Sequence, residues 1–268
     1  MTATGVRSPD VLRHGAYVCL HLPEEARRTV ASAGVTALAE GLGFRNEFEP
    51  GDGHPAEAFA FLRRLGATPA AIADHELQRA DAVVHVASAT AAPVVRFCAE
   101  VAHLLGPTIK PRVLRGVVRP TNYTGNAMHD FAYAHQVVQQ PGAIMPNAFL
   151  VPMNKTPPWW AKGWMERHTY FLPRYDHAGR MVNEGHALAS AAGIACLMRR
   201  TYKADTEPAP AGTYDFLNYF ECTDADLPTF HSVCAALRDV TKNPEWKFVR
   251  ESPTWHGRRV PTLAELFT

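Results

Sequence analysis

The sequence predicts an α+β protein in which two ferredoxin-like halves, each with an antiparallel sheet, pack together as an α+β barrel. Three observations carry this reading. The chain of 268 residues suits one large domain or two fused halves. An order of strand, helix, strand, strand, helix, strand is read twice along it. A stretch near residues 122–146, rich in Asn, Gly, Gln and Pro, separates the two runs. The halves are accordingly placed at 1–130 and 131–268. The repeat lies in the order of elements, not in the letters.

The first half opens with an apolar strand over Ala16–Leu22. Pro23-Glu24-Glu25 then starts a helix, with proline and acids in its first turn, that runs to about Leu42. Arg45–Pro55 reads as loop. Ala82–Ala87 is valine-rich and reads as a buried strand. Ala92–Leu105 is a helix closed by Gly106-Pro107, and Val113–Val118 is another strand.

In the second half Ala148–Met153 is a strand, followed by a loop with many aromatics. A helix is expected from Asp176 to Ser190, with Gly193 placed to cap it. Ala195–Lys203 and Tyr214–Glu221 are strands, separated by the turn-rich Asp205–Gly212. Leu227–Val240 is a helix, and Glu245–Arg250 is expected as the last strand.

Composition excludes several function classes. The net charge of +1 gives no electrostatic footprint for nucleic acid or an acidic membrane. No apolar run of the roughly 18 residues needed to span a bilayer occurs. The N-terminal residues Met1–Leu12 lack an apolar signal segment, so the expected location is the cytoplasm. The five cysteines are scattered and form neither CxxC nor CxxCH, which disfavours a disulfide framework, a zinc ribbon and c-type haem attachment. Reduced, mostly buried thiols are expected. Phosphate loops and nucleophile-elbow motifs are absent, so nucleotide cofactors are not supported.

Thirteen histidines invite metal hypotheses, but no HExxH motif occurs. His168, His177 and His186 are spaced by nine residues, which on one helix would put them on alternating faces. His186 lies among Gly185, Ala187, Ala189 and Ser190. Small side chains let a flat, bulky group such as haem lie close to a helix, and they equally suit a hydrogen-bonded core histidine. Trp159, Trp160, Trp164, Tyr170 and Phe171 read as a site wall, a core corner or an oligomer contact. Arg199-Arg200 reads alone as a solvated or ion-paired strand end.

Taken in order, these segments resemble the chlorite dismutase family. The resemblance rests on Lys155, Trp159-Trp160, His186, Arg199 thirteen residues later, Tyr202, Asp215-Phe216-Leu217-Asn218-Tyr219-Phe220-Glu221, Leu237-Arg238, Glu245 and Pro253-Thr254-Trp255-His256-Gly257. It covers about residues 145–260 and reaches the first half only in fold. It implies haem b bound by the C-terminal half, with no cofactor in the N-terminal half. His186 would be the iron's proximal ligand and thus the metal-binding residue. Lys155, Glu245, Trp159, Trp160, Tyr170 and Phe171 would make up the rest of the cofactor site. Glu245 would accept the second imidazole N–H, and Lys155 would hold that carboxylate. Arg199 would be the catalytic residue, a permanent cation with planar donors for a small anionic or oxidised substrate. The implied reaction turns chlorite into chloride and O₂, with Arg199 retaining the departing hypochlorite for recombination. A homo-oligomer, a homopentamer by length, is the implied assembly, with neither nucleic acid nor membrane as partner.

Three alternatives stay open at this point. Residues between Trp160 and His186, and the Ala204–Thr213 loop, depart from the family's pattern. That suits a haem enzyme acting on another small oxidised substrate, an N-oxy compound or a peroxide, in specialised metabolism. A coproheme decarboxylase is disfavoured, because Val151 stands where that branch needs a tyrosine. A haem-binding protein without catalysis is disfavoured by Arg199.

Overall fold

In the computed structural model the described residues are 14–22, 34–46, 57–66, 76–107, 109, 111–118, 145–204, 208–262 and 264–267. The first half supplies β1 (His14–Leu20), α1 (Val35–Gly41), the short β2 (Arg45–Asn46), β3 (Glu57–Arg64), α2 (Glu76–Arg79), β4 (Ala82–Ser88), α3 (Ala91–Leu105) and β5 (Arg112–Val118). The second supplies β6 (Asn147–Lys155), α4 (Pro157–Trp160), α5 (Trp164–Thr169), a β7–β8 hairpin (Arg174–Tyr175 and Met181–Asn183), α6 (Gly185–Ala189), β9 (Met198–Lys203), β10 (Phe216–Cys222), α7 (Leu227–Arg238), β11 (Val249–Glu251) and β12 (Trp255–Val260).

The sheet order gives the architecture. In the first half β5-β1-β4-β3 lie side by side, which is the fourth, first, third and second long strand in chain order. In the second half β12-β6-β10-β9 repeat that order. Each half is therefore a ferredoxin-like unit. Antiparallel pairs β5–β9 and β3–β12 join the units edge to edge. The β10–β6 pairing completes a closed ring of long strands. Closure removes the sheet edges that would otherwise template aggregation.

Strand alternation sends successive side chains to opposite faces. Inward positions fill the barrel with Tyr17, Leu62, Leu150, Tyr202, Tyr219 and Trp255. Outward positions of the first half, among them Val18, Phe59, Phe61 and Val84, meet Phe97 and Val101 of α3. Outward positions of the second half split between two clusters. Phe149 and Val151 pack with Phe230 and Val233 of α7. Phe216 packs with Trp159, Phe171 and Ala187, and Met153 lies against both clusters.

Four readings of the sequence change. A strand over Glu57–Arg64 was not resolved from the sequence, although its Phe59 and Phe61 alternate with inward Ala60 and Leu62. The helix expected over Asp176–Ser190 is a hairpin followed by the five-residue α6. Asp176 is the reason: its Oδ1 accepts from the backbone N–H of Ala178 and of Arg180, both at 2.9 Å, and Gly179 at φ 75° completes the turn. The strand expected over Glu245–Arg250 is a 3₁₀ turn, Pro244–Phe248, ending in the short β11. Proline at its first position favours the turn. The fourth long strand is instead Trp255–Val260. The helix start at Pro23–Glu25 and the boundary near residue 130 lie outside the described residues.

Candidate functional site

The site is built on the outward face of the second half. On β9, Met198 and Tyr202 belong to the barrel interior, so Arg199, Thr201 and Lys203 face outward. Thr201 Oγ1 donates across the ladder to Asn218 Oδ1 at 2.8 Å on that outer face. Lys155 and Met153 of β6 share it by the same parity. Arg200, its neighbour, turns inward and is buried. The sheet thus distinguishes two adjacent arginines that the letters alone cannot.

Facing this surface, His186 is held by α6. Gly185 precedes it at φ 62°, and a Cβ there would come within 2.4 Å of the Leu172 carbonyl oxygen. Glycine is required by both the backbone angle and the contact. The N–H groups of Glu184 and Gly185 donate to the Lys242 carbonyl, both at 3.0 Å. Those of His186 and Ala187 donate to the carbonyls of Tyr170 and Phe171, at 3.2 and 2.9 Å. So α6, too short to be stable alone, is pinned by two other segments.

The side chain of His186 is equally constrained. Its Nδ1 lies 2.8 Å from Glu245 Oε2. Lys155 Nζ donates to the other oxygen, Oε1, in a salt bridge whose side chains are only 3% and 5% exposed. Burial pushes the Glu245 carboxyl up. The Lys155 charge, then that of His186, and their hydrogen bonds outweigh burial and hold it well below the usual carboxylate range. The ionised carboxylate fixes the imidazole tautomer with the proton on Nδ1, so that Nε2 is the ring nitrogen able to act as an acceptor or metal donor.

The aromatic residues take distinct places. Trp159 is fully buried beneath Lys155 Nζ, 4.4 Å from its ring centroid, and packs against Tyr170 and Phe248. Phe171 stands 5.0 Å from the His186 ring. Trp160 is part-exposed and stacks on Phe216. The structure therefore brings Lys155, Trp159, Trp160, Tyr170, Phe171, His186 and Glu245 into one cluster, with Arg199 on the same sheet face. Trp164, by contrast, is 53% exposed at the start of α5.

Two residues of this cluster escaped the sequence reading. Arg167 is buried, with its guanidinium 5.0 Å from the Trp160 ring. Asp215 accepts from the Trp160 indole N–H. The signal for Asp215 was its place in the Asp-Phe…Tyr-Phe-Glu strand; Arg167 carried none.

The donor set tests what this place can hold. No group of three His, Cys, Asp or Glu able to hold a metal occurs among the described residues. A bare ion bound by His186 alone would lack its remaining ligands. A haem iron brings four nitrogens of its own and needs from the protein an imidazole with a fixed outer acceptor, which His186 and Glu245 could supply. Leu172 and Leu188, on either side of His186 in sequence, also leave apolar surface exposed. The residues fit haem.

Fold and site together define a closed α+β barrel of two ferredoxin-like units with a carboxylate-anchored histidine on its outer face. That is the fold of the chlorite dismutases. The structure of chlorite dismutase from Candidatus Nitrospira defluvii in complex with imidazole matches with a TM-score of 0.64 at 19% identity, over 95% of this chain and 93% of that one. A tryptophan-to-phenylalanine variant of the same protein with cyanide gives 0.64 at 19%, over 95% and 92%. An arginine-to-glutamate variant gives 0.63 at 20%, over 95% and 93%. No family model matches the sequence, and no curated protein matches it. Among the described residues no helix is long and apolar enough to cross a membrane.

Proposed function

We infer that this chain is a haem b oxidoreductase of the chlorite dismutase type, converting chlorite to chloride and O₂. The observation that carries the reading is the chain of contacts from Lys155 through Glu245 to His186 Nδ1, with Arg199 on the same outward sheet face. Haem bound there would supply the redox chemistry of the reaction. His186 would hold that iron through Nε2. Glu245 accepts the other N–H and lends the ring anionic character; Lys155 keeps Glu245 ionised. Arg199 would present its planar N–H donors to the substrate oxyanion and keep a chlorine oxyanion within the site. The reaction balances without external electrons, since both oxygens of chlorite leave as O₂.

Trp159, Phe171 and Phe216 form the apolar wall, and Trp160 its part-exposed end. Val151 stands in a buried apolar cluster, so the coproheme decarboxylase reading lacks its tyrosine. That none of the five cysteines is in a disulfide among the described residues supports a reducing, cytoplasmic setting. A homo-oligomer, a pentamer by resemblance, is supported by exposed apolar surface: seven of the ten exposed large apolar side chains among the described residues lie between 164 and 188.

An optical spectrum of the purified protein, followed by an oxygen-electrode trace on adding chlorite, tests the reading. A Soret band with prompt O₂ release is expected. A haem spectrum without O₂ release would move the assignment to another small oxidised substrate, N-oxy or peroxide. The segment between Trp160 and His186, whose sequence departs from the family pattern, favours that second reading. Failure to take up haem at all would remove both.

A further inference from the structure

Asp215 stands just before β10 and is 3% exposed. A buried carboxylate must be compensated, and this one is compensated entirely by hydrogen bonds in the contacts it makes here. Its Oδ2 accepts from the backbone N–H of Lys155 at 2.6 Å and from the Trp160 indole Nε1–H at 3.3 Å. Its Oδ1 accepts from the backbone N–H of Ala209 at 2.6 Å. The backbone of Asp215 is fixed as well. Its N–H donates to Asn154 Oδ1 at 2.7 Å, and its carbonyl accepts from Ala204 N–H at 3.0 Å. Asn154 in turn donates to the Thr213 carbonyl at 3.2 Å.

Those donors come from three places. Lys155 ends β6, beside the Glu245 pair. Trp160 ends α4 and forms the part-exposed end of the aromatic wall, with Phe216 stacked on it and the Arg167 guanidinium over its ring. Ala209 belongs to the Pro- and Gly-rich segment 208–213, where the sequence departs from the family pattern. A proline- and glycine-rich segment of this kind has little packing of its own and needs an anchor. A tryptophan at a wall's edge has two χ angles to fix, and a hydrogen bond at Nε1 selects one indole orientation.

We propose that Asp215 is the positioning residue of this site: one carboxylate sets the Trp160 indole against the cofactor and fastens the 208–213 segment beside it. The cofactor part rests on the haem reading above. Asp215 touches neither cofactor nor substrate; it acts through Trp160 and Ala209. The segment's sequence can then vary to suit a substrate, while the wall keeps its geometry.

The first measurement needs no haem. The chain has five tryptophans, so the purified full-length protein gives five indole N–H signals in a ¹⁵N–¹H spectrum. Trp160→Phe removes and so assigns one. In Asp215→Asn that signal moves upfield, the other four stay, and amide exchange at Ala209 quickens. An unmoved Trp160 signal overturns the proposal. The second measurement is haem transfer from the loaded protein to a scavenging apoprotein. Losing an outer partner of this kind costs roughly tenfold or more in affinity. Asp215→Asn and Trp160→Phe should each release haem about tenfold faster, and the double variant no faster than either. Effects that multiply in the double variant would show that Asp215 does not act through Trp160. If the wild type takes up no haem, the haem reading fails, and the indole signal still decides the role of Asp215.

Discussion

The imidazole of His186 and the carboxylate of Glu245 meet at 2.8 Å although 59 residues separate them. The turn Pro244–Phe248 exists to deliver that contact. Glu245→Gln should therefore leave haem bound but raise the iron's reduction potential, because the ring loses its anionic acceptor. Spectroelectrochemical titration reads it. His186→Ala should abolish stable haem incorporation, read as loss of the Soret band after reconstitution.

The Lys155–Glu245 pair is buried, so removing one partner leaves an uncompensated charge. Glu245→Gln should cost about 3 kcal/mol of folding stability, the low end for a broken buried pair. Lys155→Met with Glu245→Leu should recover most of it, since an apolar pair of similar size avoids the desolvation cost. Urea midpoints of the wild type and the two variants decide this. A double variant as unstable as the single would mean that the pair itself stabilises the fold.

Arg199 and Arg200 should separate function from folding. Arg199 faces outward with the site; Arg200 is buried in the barrel. Arg199→Ala should keep haem and melting temperature while losing roughly 10- to 150-fold of the O₂ rate, the worth of one charge-assisted hydrogen bond felt only in the transition state. It should also bleach sooner, as hypochlorite escapes to a chlorination reporter. Arg199→Lys should recover part, because a point charge replaces a planar fork. Arg200→Ala should lower the melting temperature. Equal loss of O₂ release in both variants, with no difference in melting, would overturn the assignment of faces.

Gly185→Ala should displace the histidine without touching it. An alanine at φ 62° costs about 1–2 kcal/mol, before its Cβ meets the Leu172 carbonyl. Haem affinity should fall with stability. Gly179→Ala, also at positive φ but with open space around its Cβ, should cost the backbone strain alone and leave haem bound.

The cysteines give a pH prediction. Burial is the first cause that pushes the thiols of Cys98 and Cys234 up to about 11 and that of Cys222 up to about 12. An acid whose folded pKa is raised binds its proton more tightly folded than unfolded. Its contribution is fully present below the unfolded thiol pKa of about 8.5 and fades as pH climbs above it. Native protein at pH 8 should therefore react slowly with a thiol reagent at these three positions, and rapidly once unfolded. Stability should decline from about pH 8.5 upward.

The sequence by itself determined the class of the fold and named most of the residues that the folded chain gathers into one cluster. Valine-rich alternation marks buried strands wherever it occurs. The order of Lys155, the tryptophan pair, His186, Arg199 and Glu245 was readable only through the family resemblance, since taken alone His186 fits a core histidine and Arg199 a strand end. Tertiary structure decided how they meet. Closure of two ferredoxin-like sheets into one ring depends on edge pairings between residues far apart in the chain, which no local pattern encodes. Glu245 lies in a turn that Pro244 opens, and its ion pair with Lys155 joins residues 90 apart in the chain. The hairpin before His186 was hidden because Asp176 closes its turn with side-chain hydrogen bonds that helical propensity does not register. The roles of Asp215 and Arg167 are set by a three-dimensional neighbour, the Trp160 ring, and so exist only once the chain has folded.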